Sequence, residues 1–135
     1  MRDRAVLDTG IIVAIYFEED ASKRAVEIAY EHSPITLDLA VAEVGNAAWK
    51  RVTLFGEGKD ATGKSLCKCL DFIKSCAQIS SSDLAELAYV ISVENKITFY
   101  DSLFLAAAEK EKVPLYTLDK KLYNKAKTKI YVRMI

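Results

Sequence analysis

Histidine is almost missing from this chain: its 135 residues include one, His32, beside a turn proline. Zinc and non-haem iron sites usually draw on imidazole, and a serine-type triad needs it as the base, so these chemistries are disfavoured. Cysteine is scarce as well, and the three present (Cys67, Cys69 and Cys76) form one odd-numbered cluster. That is no disulfide framework of a secreted protein. Residues two apart on a helix point to different sides, so a small apolar or incidental role is expected for them. Net charge is missing too, with 19 basic and 19 acidic side chains. A broad polyphosphate-binding surface would be clearly basic, although a local basic rim stays compatible. No long apolar run occurs near the start: Gly10 to Phe17 falls far short of the ~20 residues that span a bilayer. Arg2-Asp3-Arg4 leads straight into a strand-like segment, not a secretory leader. The expectation is a cytoplasmic protein without a membrane partner.

What is present is apolar sequence, 51% of the chain, enough for one domain over 1–135 with a real core. Short apolar runs alternate with longer helical stretches. Strands are expected at Ala5–Leu7, Ile35–Leu37, Ala77–Ile79, Ile97–Tyr100, Leu115–Leu118 and Ile130–Val132. Between them the pattern predicts helices from Gly10 to about Glu19 (with Thr9 as cap) and from Ala21 to Glu31. A long helix follows Asp38 to about Phe55, then Asp60 to Ser75, and Ser82-Asp83 to about Asn95. Ser102 to Lys112 and Asp119 to about Lys127 complete the set. Gly56, Gly58 and Gly63 mark a loop between helices. Strand–helix alternation without hairpin signals predicts a three-layer α/β/α domain with a central parallel sheet.

Four acids then stand out. Asp8 ends Ala5-Val6-Leu7, Glu43 is embedded in an apolar helical stretch, and Asp101 and Asp119 follow two further strand-like runs. Acids rarely go inside unpaired, and two like charges ~4 Å apart repel by roughly 4 kcal/mol at an effective dielectric near 20. In parallel α/β sheets ligands bind beyond the carboxyl ends of the strands, where these acids are expected to meet. Taken singly, Asp8, Asp101 and Asp119 also suit helix caps, and Glu43 a buried pair with Lys50 or Arg51. Taken together, they suit a hard divalent cation, Mg²⁺ or Mn²⁺, which prefers oxygen ligands. Hydrolysis of a phosphodiester is the chemistry that fits such a centre.

Leu7-Asp8-Thr9-Gly10, Glu43-Val44-Gly45-Asn46, Tyr100-Asp101-Ser102-Leu103 and Thr117-Leu118-Asp119 resemble, in order, the four acidic motifs of PIN domains. Within that superfamily the whole chain resembles the VapC ribonuclease toxins of type II toxin–antitoxin systems. The resemblance implies a metal-dependent endoribonuclease that leaves 5′-phosphate and 3′-hydroxyl ends. Asp8 and Asp101 would be the principal metal ligands, and Glu43 and Asp119 would complete the quartet, Asp119 directly or through water. Thr9 and Thr117 would support the site by hydroxyl hydrogen bonds, and Asn46 would face the same cleft. It also implies an RNA substrate, a cognate antitoxin that blocks the cleft, and a homodimer.

Other features read more plainly. Trp49, Phe55, Phe72 and Tyr89 are expected in the core, apart from any excess on the long helix that forms a dimer face. Lys120, Lys121, Lys125, Lys127 and Lys129 read as a solvated face, with Lys120 and Lys121 near enough to Asp119 to touch RNA phosphates. Two other readings keep the PIN fold: an RNA-processing nuclease without an antitoxin, and a catalytically inactive interaction module. A receiver-like signalling domain fits poorly, because Ser80-Ser81-Ser82 follow the third strand where an aspartate is needed. A phosphatase of the haloacid-dehalogenase type fits poorly as well, since Gly10 stands where its second aspartate belongs.

Overall fold

A computed structural model describes residues 2–126 and 131–135. Among these, five strands form one fully parallel sheet: β1 (Arg4–Leu7), β2 (Ser33–Leu37), β3 (Ala77–Ile79), β4 (Leu115–Thr117) and β5 (Val132–Met134). Their spatial order is β3-β2-β1-β4-β5. The chain thus builds outward from β1 to β3, then returns across β1 to lay down β4 and β5. Neighbouring connections diverge between β1 and β4, and crevices in α/β sheets open at such a switch point.

Among the described residues seven helices cover the sheet: α1 (Thr9–Tyr16), α2 (Ser22–Glu31), α3 (Leu39–Thr53), α4 (Lys59–Ser75), α5 (Ser81–Asn95), α6 (Phe99–Glu111) and α7 (Lys120–Lys125). Side chains on a strand alternate between faces, and the two cores follow that rule. Val6, Ile35, Leu37 and Leu115 face a cluster built with α5, α6 and α7. Leu7 faces the opposite cluster, built from α1 to α4, and Tyr116 packs on its margin. The three-layer α/β/α expectation is met. From Ser102 to Ala108 every residue of α6 is buried, the mark of a helix enclosed on all sides.

One expected strand is a helix instead. Ile97-Thr98-Phe99-Tyr100 has the β-branched and aromatic composition of a strand, yet Thr98 is the N-cap of α6 and its hydroxyl accepts the Asp101 N–H at 3.1 Å. Local capping overrides composition here. Asp101 therefore lies in the first turn of α6, not beyond a strand. The first helix is capped by Asp8 rather than Thr9, which is already helical. The last strand begins at Val132; Ile130, Lys127 and Lys129 lie outside the described residues.

Both α5 and α6 end on a lysine in the left-handed region, Lys96 and Lys112, each at φ 56°. That conformation costs an L-residue roughly 1–2 kcal/mol and glycine almost nothing. Lys112→Gly is expected to stabilise the fold by about 1 kcal/mol, less the added freedom of the unfolded chain. Denaturant unfolding checks this; an unchanged or lower midpoint would contradict it.

Candidate active site

Asp8 leaves the central strand β1 and becomes the N-cap of α1, its Oδ1 accepting the Ile11 N–H at 3.2 Å. Its Oδ2 accepts a short hydrogen bond from the Thr117 hydroxyl at the end of β4. The Thr117 oxygen in turn accepts the Asp119 N–H at 3.0 Å. One buried threonine therefore ties the ends of β1 and β4 together across the switch point. Asp119 caps α7, accepting from the Leu122 N–H at 3.0 Å. On the first turns of α3, Glu43 accepts the Thr9 hydroxyl at 2.6 Å. Asp101 enters from α6.

All four acids line one cleft of about 320 Å³, with Phe104 and Leu122 as apolar floor. Gly10 leaves one side of Asp8 open, since a Cβ there would stand 3.5 Å from Oδ1. Neither Lys50 nor Arg51 forms an ion pair with Glu43 among the described residues, so the alternative reading of Glu43 as a buried pair is not met. Arg51 pairs with Glu19 and Glu57 and lies over the Phe17 ring.

The electrostatics follow from this enclosure. Burial pushes the Asp8 carboxyl up to about 7, against the hydrogen bonds from Thr117 and Ile11, and the charges of Asp101 and Glu43 add to the rise. Although the residue keeps some exposure, its carboxyl lies deep. Glu43 is raised by burial and by Asp101, Asp101 by burial and by Asp119. The acids thus act on one another as a group. Among the described residues, no three acids, histidines or cysteines stand close enough together to enclose an ion. The quartet lines a shared cleft; it is not a closed cage.

A second depression of about 490 Å³ adjoins the cleft, sharing Thr9 and Glu43. Asn46 lies here, not in the acid cleft, together with Lys50 of α3 and Tyr100 of α6. The 43–46–50 spacing puts these α3 residues on one helix face, a signal readable in the sequence. Tyr100 was hidden by its assignment to a strand. Lys120 and Lys121 are exposed at the start of α7, outside the cleft lining. His32 is more than a turn residue: its ring nitrogens meet the Ile28 carbonyl at 2.8 Å and the Tyr116 hydroxyl at 3.3 Å. Cys67 is exposed and Cys69 buried, on different sides of the helix as their spacing implies, and Cys76 is buried.

Comparison with known proteins bears on the family and the fold. The family model described as PIN domain matches residues 5–128. Ribonuclease VapC3 of Pyrobaculum aerophilum is 30% identical over 123 residues, which cover 90% of this chain and 94% of that protein. The crystal structure of PAE2754, also from Pyrobaculum aerophilum, superposes with a TM-score of 0.72 at 26% identity, covering 93% of this chain and 81% of that one. A toxin–antitoxin complex from Klebsiella pneumoniae shares the fold at a TM-score of 0.70 and 20% identity, over 96% of this chain and 95% of that one.

The raised Asp8 carboxyl yields a test without any ligand. Its folded value lies above the unfolded value of 3.8, so between about pH 4 and pH 7 the native state holds a proton that the unfolded state has lost. The contribution of Asp8 to stability must fall with rising pH across that window and level off above it. Asn is an equally good cap and mimics the neutral acid. In metal-free buffer, Asp8→Asn and the parent are expected to unfold at similar temperatures near pH 4. A gap of several degrees in favour of the variant should open by pH 7. A constant gap across the range would mean that Asp8 is not the titrating group.

Proposed function

The chain belongs to the PIN-domain family, in its VapC-like ribonuclease branch, and from that footing we propose a divalent-metal-dependent endoribonuclease acting as the toxin of a toxin–antitoxin pair. The observation that carries this reading is the convergence of Asp8, Glu43, Asp101 and Asp119, from four separate segments, on one cleft at the sheet's switch point. Their donor set is all oxygen, which suits Mg²⁺ or Mn²⁺. Mg²⁺ keeps several waters and takes one or two carboxylates directly, so an open acid-lined cleft fits it without a cage. Asp8 and Asp101 would hold the ion, with Glu43 and Asp119 beside them. When bound, such an ion supplies an activated water and polarises the phosphoryl oxygen.

The protein's own side chains do the positioning. Thr117 fixes one Asp8 oxygen and the Ile11 N–H the other, leaving the remaining lone pairs turned to the cleft. Thr9 holds Glu43 against α1. Lys120 and Lys121, exposed and next to Asp119, would meet the phosphates of an RNA strand, which would make binding salt-dependent. The same reading includes a protein antitoxin that covers the acid cleft. It also includes a pair of chains joined through exposed apolar side chains, among them Trp49, Leu54 and Phe55 near the end of α3 and Val90 and Val93 of α5. Among the described residues no helix is long and apolar enough to cross a membrane.

The expected outcome is cleavage of single-stranded RNA by the purified chain in Mg²⁺ or Mn²⁺, abolished by chelation. Asp8→Asn or Asp101→Asn should lower the rate by more than the roughly 10–100-fold that loss of an outer-shell partner costs. A circular RNA separates internal from terminal attack. Equal degradation by parent and variant would trace the activity to a contaminant and overturn the assignment.

A further inference from the structure

Resting on the ribonuclease reading, we propose that the depression beside the acid cleft is a nucleotide subsite for single-stranded RNA. In it Tyr100 stacks on a base, Asn46 meets that base's edge, and Lys50 takes a backbone phosphate. The two depressions are continuous through Thr9 and Glu43 yet differ in charge, the second holding Lys50 against the single acid Glu43. The cleft is lined by four acids. Among the residues lining either depression, Lys50 is the sole cation, and it pairs with no acid among the described residues. A phosphate repelled by the bare acids finds complementary charge at Lys50.

The walls suit a nucleotide. Leu39 and Ala47 give a low apolar floor, and Tyr100 stands on the facing helix α6 with 60% of its surface exposed. An exposed tyrosine ring beside a small-residue floor offers a face for stacking that tolerates any base. The Asn46 amide is exposed and makes no hydrogen bond among the described residues. It carries both donor and acceptor, which a base edge can match. Glu43, Asn46 and Lys50 follow one another along a single face of α3, and the rise from Glu43 to Lys50 is ~10 Å. A strand whose scissile phosphate lies at the acids can therefore lay its next nucleotide along this face. Tyr100 adjoins Asp101 in sequence, so stacking also sets the strand against the acid that borders it.

Binding is measured by fluorescence polarisation with a labelled single-stranded RNA 12-mer of mixed sequence. The full chain carrying Asp8→Asn serves as background, so that the strand stays uncut. Tyr100→Ala should weaken binding about ten-fold, while Tyr100→Phe, which keeps the ring, should bind as the background does. Lys50→Ala should weaken binding and lower the slope of log affinity against log salt by about one, with Lys50→Arg restoring it. In the otherwise native chain, Asn46→Ala should level the preference among bases at the cleavage position. Undiminished affinity in both alanine variants, with the background still binding, overturns the subsite and leaves the nuclease reading intact. No binding by the background and no cleavage by the native chain overturns both. A change of solution mass in Tyr100→Ala would place the ring in a contact between copies and overturn its stacking role.

Discussion

The Asp8 carboxyl is buried beside two other acids at the one place in the sheet where backbone connections part, and much of the local structure answers that strain. Its ionised form is disfavoured by the loss of water more than by its neighbours, since burial is the larger cause of the rise to about 7. Two donors, from Thr117 and Ile11, offset part of that penalty without removing it. Asp38 makes the contrast plain. It too caps a helix after a parallel strand, yet it stands in solvent and is held below the usual carboxylate range by the hydroxyl and backbone N–H of Ser81. The same residue type after the same kind of strand thus ends up with opposite proton affinity. Position relative to the switch point decides which.

That position was legible in the sequence for three of the four acids. Asp8 and Asp119 follow short apolar runs that do become β1 and β4, and Glu43 falls one turn into the helix after β2. Asp101 reaches the cleft by another route. Ile97 to Tyr100 carries strand composition, but composition reports side-chain shape, whereas Thr98 has a hydroxyl that satisfies an orphan N–H and starts a helix. The apolar outside was the least legible. Tyr89, expected inside, is 64% exposed, and Trp49 and Phe55 on the long helix, read as core or as a dimer face, are 52% and 70% exposed. Apolar character says that a residue gains from being covered; it does not say that the same chain does the covering.

Thr117 shows how a neutral residue can govern the acids. Buried completely at the end of β4, it donates to Asp8 and accepts from the Asp119 backbone. Its proton therefore points toward the more buried carboxylate, and the cap of α7 is registered against the cap of α1. Thr36 acts one strand away, its hydroxyl donating to the Leu7 carbonyl at 3.2 Å and steadying the peptide just before Asp8. Both are β-branched residues with few accessible rotamers, so the hydrogen bonds they make order little that the strand has not already fixed.

The charge pattern along α3 links the two depressions. Glu43, in the second turn of the helix, faces the acid cleft, and Lys50, near the other end of the same face, borders the neighbouring groove. An RNA backbone is anionic throughout, so it cannot lie evenly along such a face. Under the proposed reading it would be drawn to Lys50 and repelled at Glu43 until a cation offset the acids there. A cation bound at Asp8, whose carboxyl is pushed up to about 7, would also displace the proton that it holds. In that reading strand placement at the groove and ion loading at the cleft would be separate events on one helix face. The groove carries a fixed charge at Lys50, while the cleft carries acids whose proton affinity burial has raised.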